Sequence, residues 1–417
     1  MGRIGRRGFV VAAAGALAAL AAGDAAAAAD GPVAARARRG APRPEFRGMW
    51  LATVGNRDWP SVPGLTAQAQ RAELLAHLDS AVARRLNVVI LQVRPTADAL
   101  WPSPYEPWSQ YLSGVQGKDP GWDPLGAAVS EAHKRGLQLH AWFNPYRVAN
   151  HTDLSRLVPN HPARLHPEWV LPYGGKLYYN PGIPEVRRFV QVAMMDAVSR
   201  YDIDAVHFDD YFYPYPVAGQ VFDDDATYAR YGAGFTDKAA WRRSNIDRLV
   251  GEMAARITRA KRGVRFGISP FGVWRNKATD PLGSETSAGV QAYDDLHADT
   301  RKWVREGWID YIVPQVYWNI AFPAADYAAL VPWWAGVAQG TGVDLYIGEA
   351  LYKAGAPGQP APWQDPKELS RHLTLARRYP PVRGHCFFSA KEVMTDPTGA
   401  MAQVVTDHYP TRVQPPS

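Results

Sequence analysis

One cysteine, Cys386, among 417 residues leaves no internal disulfide, and its apolar, strand-like surroundings mark it as a small buried hydrophobe and not a nucleophile. Phosphate-cradling motifs are missing too. There is no G-x-x-x-x-G-K-[ST] and no strand-linked G-x-G-x-x-G, so no nucleotide partner and no cofactor is expected. Surplus charge is absent from the body of the chain. The formal net charge is +6, but the first 47 residues hold eight arginines against Asp24, Asp30 and Glu45, so that segment carries +5 and the remainder about +1. No basic face is left to bind nucleic acid. Nor is there a membrane-spanning run: the apolar stretch from Phe9 to Ala22 is diluted by Ala and Gly and falls short of the roughly 20 residues a span requires.

That stretch has a different meaning. Arg3, Arg6 and Arg7 precede it and small residues from Ala25 to Ala29 follow, the layout of an export signal. Arg6-Arg7-Gly8-Phe9-Val10 resembles a twin-arginine signal, while Gly5 and Val11 depart from the usual pattern and keep Sec export as the alternative. No cysteine lies near the cleavage region. The expected product is therefore exported and soluble, periplasmic or extracellular, with neither a lipoprotein anchor nor another stable membrane anchor. Residues 1–29 read as the signal, 30–44 as a disordered Ala/Arg/Gly/Pro leader, 45–395 as one folded domain and 396–417 as a tail.

What the chain has in quantity is apolar and aromatic residues, 47% hydrophobic with 15 Trp, enough for a large core. Eight times a short β-branched or aromatic run is followed by a loop and a helical pattern. The strands are expected at 46–53, 87–94, 138–143, 204–209, 265–270, 310–316, 344–348 and 384–389. Helices are expected at about 67–85, 123–135, 184–200, 237–261, 295–306, 326–338 and 366–378. Eight alternating units argue for an α/β fold, the (β/α)8 TIM barrel, as a single catalytic domain. Helix-to-strand joints are short, whereas the strand-to-helix loops near 95–122, 144–183, 210–236 and 271–294 are long and share the rim on which such barrels build their sites.

Strand alternation sorts the side chains. Val89, Leu91 and Val93 should meet the helices, leaving Gln92 and Arg94 toward the axis. His140, Trp142 and Asn144 point inward on the third strand, His207, Asp209 and Tyr211 on the fourth, and Gln315 and Tyr317 follow on the sixth. Polar groups gathered near one rim imply a hydrogen-bonding cleft. Asp209 and Asp210 end the fourth strand and Glu349 ends the seventh. Paired carboxylates, one a proton donor and the other a base or nucleophile, are the equipment of glycoside hydrolysis. Strict alternation places Glu349 with the outward set, so its part in the cleft requires a twist past Gly348. Trp59, Trp101, Trp108, Trp142, Trp274, Trp318 and Trp363 follow strands and divide between sugar platforms and loop packing.

Two rival readings use the same residues: a glycan-binding barrel without turnover, and a metal-dependent hydrolase or deacetylase with His140, His207 and Asp209 as ligands. The spacing lacks a tight metal signature, and the histidines are expected as wall residues contacting substrate, with no metal.

Several blocks, in order, resemble one known family. Glu45 to Val54, with Asn56, Asp58, Trp59 and Pro60, is similar to the opening of the glycosyl-hydrolase-like 10 family, formerly a domain of unknown function. The agreement continues through Leu91 to Pro95 with Asp98 and Ala99, Ala141 to Arg147, His207 to Pro214, Gly267 to Gly272 and Pro314 to Trp318, and reaches about Val393. The resemblance implies a (β/α)8 glycoside hydrolase of the bacterial envelope that cleaves glycan strands of peptidoglycan, including strands stripped of stem peptides. Many relatives are lipoproteins or carry extra C-terminal modules, neither of which is expected here. In the combined expectation Asp209, Asp210 and Glu349 are catalytic. Arg94, Asn144 and Gln315 hold hydroxyl or N-acetyl groups, His140 and His207 touch substrate, and Trp142, Tyr211, Tyr317 and Trp318 stack on sugar rings.

Overall fold

A computed structural model describes residues 44–416. The expected export signal lies outside these residues, as does the leader up to residue 43. Eleven strands form among the described residues: β1 Phe46–Leu51, β2 Val88–Arg94, β3 Gln138–Phe143, β4 Arg147–Ala149, β5 Val170–Tyr173, β6 Lys176–Tyr179, β7 Ala205–Phe208, β8 Arg265–Ile268, β9 Tyr311–Ile312, β10 Asp344–Glu349 and β11 Val382–Phe388. Eight of them close a parallel barrel in the order β1-β2-β3-β7-β8-β9-β10-β11. The seam is β11 on β1, in register from Phe46 opposite Gly384 to Trp50 opposite Phe388. The expected (β/α)8 fold is the observed one.

Local sequence explains where the bounds differ from expectation. Pro184–Arg200 is helical over the expected span, with Pro184 in the first turn, where a missing N–H costs nothing. The sixth barrel strand stops at Ile312, because Pro314 has no N–H to continue the ladder; Gln315 then rejoins through isolated bridges to Phe271 and Gly348. The helix expected at 295–306 is only Thr300–Arg305, since the Asp299 side chain accepts from Lys302 N and starts the helix there. Within the long loop at 144–183, β4, β6 and β5 form a separate antiparallel sheet.

Residues 396–417, expected as a tail, are folded over much of their length. Ala400–His408 is a helix that buries Met401 and Val404, and it packs on the helix Glu368–Ala376. The chain then runs beneath the barrel, where Thr411 O accepts from Arg47 Nη1 at 2.7 Å and Val413 O from Asn87 Nδ2 at 3.2 Å. The i, i+3 pair Met401/Val404 is what a tail reading overlooks. No helix among the described residues is long and apolar enough to cross a membrane.

Alternation holds along the barrel. Val89, Leu91 and Val93 join the main core between strands and helices. Phe46, Trp50, Val88, Ile90, Trp142, Tyr311, Tyr346 and Cys386 fill the interior. Eight strands leave little room inside, and glycines make it. A Cβ on Gly267 would lie 2.0 Å from the ring of Tyr311, its partner across β8 and β9. Gly267→Ala should therefore overpack the interior and lower stability by roughly 1–3 kcal/mol. The readout is a reduced guanidinium midpoint at unchanged slope; an unchanged midpoint would contradict the account of a filled interior.

Candidate active site

The β7 strand delivers His207 to the interior and, past Phe208, Asp209 and Asp210 to the mouth. They enter a cleft of about 330 Å³ whose walls come from most of the rim. Trp142 and Gln92 stand on one side, Gln315, Ser269 and Tyr215 on another, and Tyr211 and Arg147 beside the acids. Across the barrel from β7 lie β11 and β1, which contribute Phe388, Trp50 and Ala52. Tyr317, Tyr352 and Arg57 complete the aromatic and cationic rim.

Asp209 is held entirely by N–H donors. Trp142 Nε1 donates to Oδ2 at 3.2 Å, Asn144 Nδ2 donates to the same oxygen, and the backbone N–H of Tyr211 donates to Oδ1 at 3.1 Å. The orientation of Asn144 is set from behind. Gln92 Oε1 accepts from the backbone N–H groups of Thr53 and Val54 at 3.0 and 2.9 Å, so its amide Nε2 faces Asn144 Oδ1, which leaves the Asn144 amide nitrogen for Asp209. Asp210 differs in kind: Tyr215 donates its hydroxyl to Oδ2, and Gln315 Nε2 donates to Oδ1 at 3.0 Å. A tyrosine hydroxyl can also accept, so Asp210 can carry a proton without facing only donors.

Electrostatics act on both acids. Burial, then the neighbouring Asp210 charge, pushes the Asp209 carboxyl up to about 7, against the opposing pull of Arg147 and the hydrogen bonds. Burial likewise raises Asp210, opposed by Tyr215 and Gln315. Burial and the repulsion between neighbouring carboxylates thus raise the proton affinity of the pair. Arg147, whose Nε donates to Pro95 O at 3.0 Å, balances the remaining negative charge.

Below the cleft, His140 and His207 share the hydroxyl of Tyr311, at 2.8 and 3.0 Å from their Nδ1 atoms. Trp50 Nε1 donates to His207 Nε2, which also meets Ser269 Oγ at 2.8 Å, so His207 carries its proton on Nδ1 and donates to Tyr311. Tyr311 in turn donates to His140 Nδ1, and His140 Nε2 faces Gln138 Oε1. Burial holds His207 down at about 3 and His140 well below its ordinary value, so both rings are neutral. Neither histidine lines the cleft, contrary to their expected contact with substrate. Both lone pairs are spent inside the barrel, which leaves none for the metal set His140, His207 and Asp209.

Glu349 requires the largest correction. Its alternation is outward, as strict strand phase implied, and no twist past Gly348 reverses it. The carboxylate is fully buried between β10 and the helices, accepting from Tyr327 at 2.7 Å and meeting Nδ1 of His372 and of His385 at 2.9 Å each. Burial would raise it, but the His372 charge and the histidine hydrogen bonds outweigh that and hold it down at about 2. Arg94 is also placed elsewhere. A register shift at the end of β2 turns it to the fully buried Glu106, which it grips with Nε and Nη2, while Nη1 donates to Asn144 O. Trp318 packs edge-on against Phe271 outside the cleft lining, and Asn144 acts behind Asp209. Among the seven tryptophans singled out, Trp142 lines the cleft, while Trp59, Trp101, Trp274 and Trp363 are buried in packing.

Asp209, Asp210, Trp142, Tyr211, Gln315 and Tyr317 thus converge. Sequence reasoning missed Arg147, Tyr215, Trp50, Tyr352, Phe388 and Arg57 as site residues. Arg147 and Tyr215 sit in or beside runs already conspicuous, Ala141 to Arg147 and His207 to Pro214, but strand phase does not extend into loops.

A closed parallel barrel with buried acids and aromatic rings at its C-terminal mouth is the architecture of a barrel glycoside hydrolase, and that is the class of this enzyme. The chain belongs to the Glycosyl hydrolase-like 10 family, whose model matches residues 45–365. It is 53% identical over 367 residues to the glycosyl hydrolase YngK of Bacillus subtilis (strain 168), covering 88% of this chain and 72% of that protein. To the glycosyl hydrolase DigH of Escherichia coli (strain K12) it is 42% identical over 363 residues, 82% of each chain. Among solved structures, the glycoside hydrolase domain of PgaB (BpsB) from Bordetella bronchiseptica overlays with a TM-score of 0.53 at 12% identity, covering 88% of this chain and 99% of that one. The catalytic domain of a β-amylase from Paenibacillus polymyxa gives 0.54 at 11% identity over the same shares. These two likenesses concern the fold.

Glu349→Gln separates a structural role from a chemical one. Removing one partner of a buried charge pair costs roughly 3–5 kcal/mol. The depressed Glu349 contributes stability above its ordinary 4.5, lost as pH falls toward 2; the raised His372 contributes below its ordinary 6.5, lost as pH rises through its folded value. The deficit of the variant should therefore be largest between 4.5 and 6.5 in denaturant titrations, with turnover per folded molecule retained. Lost turnover at intact stability would put Glu349 back in the chemistry.

Proposed function

We infer that this enzyme is exported and cleaves the glycan strands of bacterial peptidoglycan, including strands freed of stem peptides, with Asp209 and Asp210 as its reacting acids. The observation that carries the reading is the carboxylate pair sharing a cleft with Trp50, Trp142, Tyr211, Tyr317, Tyr352 and Phe388. Flat rings with polar edges suit a strand of pyranose sugars, and a pair holding one proton supplies both an acid and a base. The arginines Arg57 and Arg147 in the same cleft suit the lactyl carboxylate that becomes a free anion once the peptide is removed. The basic and apolar pattern of residues 1–29 supports export.

The test is to incubate protein lacking residues 1–29 with intact and with amidase-stripped peptidoglycan, and to identify released fragments by mass spectrometry. Wild type should release saccharide fragments, more from stripped strands, and Asp209→Asn should lose at least about 10²-fold in rate, the scale of acid–base and electrostatic contributions. No release from either substrate would overturn the peptidoglycan assignment. Equal release by the variant would remove Asp209 from the chemistry.

A further inference from the structure

Direct displacement at a glycosidic carbon needs carboxyls on both faces of the sugar, one giving the proton and the other attacking or activating water. The cleft does not provide that. Among the described residues its lining carboxylates are Asp209 and Asp210, adjacent in sequence at the end of one strand. The strands opposite, β11 and β1, present Phe388, Trp50 and Ala52, and Glu349 is turned away into the helix layer. The nucleophile must come from elsewhere, and both sugars of a peptidoglycan strand carry one, the carbonyl oxygen of the 2-acetamido group.

We propose that the enzyme works by participation of the substrate's 2-acetamido group, with Asp209 accepting the acetamido N–H and Asp210 acting as the proton donor to the leaving oxygen. This rests on the reading of the cleft as a site for N-acetylated glycan. In the first step the acetamido oxygen forms a bond to C1, the C1–O bond to the leaving sugar breaks, and that oxygen takes the proton of Asp210. The product is a bicyclic oxazolinium ion whose N–H charge is balanced by the Asp209 carboxylate. In the second step water attacks C1, Asp210 takes its proton, and the C1–oxygen bond of the ring opens to restore the acetamide. Two inversions give a retained anomer.

The hydrogen-bond inventory distributes the roles. Every observed partner of Asp209 is an obligate N–H donor, one of them oriented through Asn144 and Gln92 by the backbone of Thr53 and Val54, so Asp209 is placed to accept one more N–H. Asp210 faces a hydroxyl that can reverse, which lets it cycle between acid and carboxylate.

The stable mimic of that intermediate is a sugar-fused 2-methylthiazoline, and it tests the mechanism without a glycan substrate. The N-acetylglucosamine thiazoline and its 3-O-lactyl counterpart would be titrated calorimetrically into wild type, Asp209→Asn and Asp210→Asn, each checked for folding by thermal melt. At least one should bind wild type, its ring nitrogen taking a proton from the acid pair and donating it to the Asp209 carboxylate, and Asp209→Asn should weaken it by roughly 10- to 100-fold, the range for a hydrogen bond to a charged group. Asp210→Asn should bind within a few fold of wild type. Proton NMR of the first products from wild type should show the retained anomer. Failure of both thiazolines to bind, an inverted product, or a carboxylate–sugar adduct trapped by a fluorosugar would overturn the mechanism. Thiazoline binding without cleavage of peptidoglycan would uphold the mechanism and move the substrate to another N-acetylated glycan.

Discussion

Each residue of a closed-barrel strand has one of two destinations, and the interior is narrow. The site depends on how that interior is filled. Tyr311 occupies the space opened by Gly267, and its hydroxyl joins two buried histidines that Trp50, Ser269 and Gln138 complete. A polar group inside a barrel is costly unless paired, so this network is tied together and neutral. It forms a floor on which the mouth residues stand.

On that floor the two acids are set apart by their surroundings and not by residue type. Asp209 is enclosed by N–H donors, one of them oriented by backbone N–H groups, while Asp210 meets a donor amide on one oxygen and, on the other, a hydroxyl that can reverse. Burial and mutual repulsion raise both, and Arg147 limits the charge that remains. The same chemistry in Glu349 is driven the other way by the charge of His372, which makes that carboxylate a tie between β10 and its helices.

Strand phase made much of this legible. Asp209, Trp142, Tyr211 and Gln315 were placed correctly by a period of two, since a parallel strand packed on both faces cannot slip without exchanging them. The same rule has Glu349 outward, and a place in the cleft would require a twist past Gly348 that the strand does not make. Its partners His372 and His385 are 23 and 36 residues away, beyond any local pattern. Arg94 illustrates another limit: a register shift at the strand end and a glutamate in the following loop redirect it, and neither leaves a mark in periodicity. Loop residues such as Arg147 and Tyr215 have no phase to read. The folded C-terminal helix escaped because a nine-residue amphipathic segment after the last strand resembles a tail until its neighbours are known.

The raised proton affinity of the Asp209–Asp210 pair is open to direct measurement. Carbon-13 NMR titration of carboxyl-labelled aspartates, with Asp209→Asn and Asp210→Asn to assign the signals, reads it without substrate. The account predicts that the pair still holds a proton at mildly acidic pH and loses its last one near 7, and that either Asn variant lets the remaining carboxyl titrate lower. Two carboxyls titrating independently near the ordinary value of about 3.9 would contradict it.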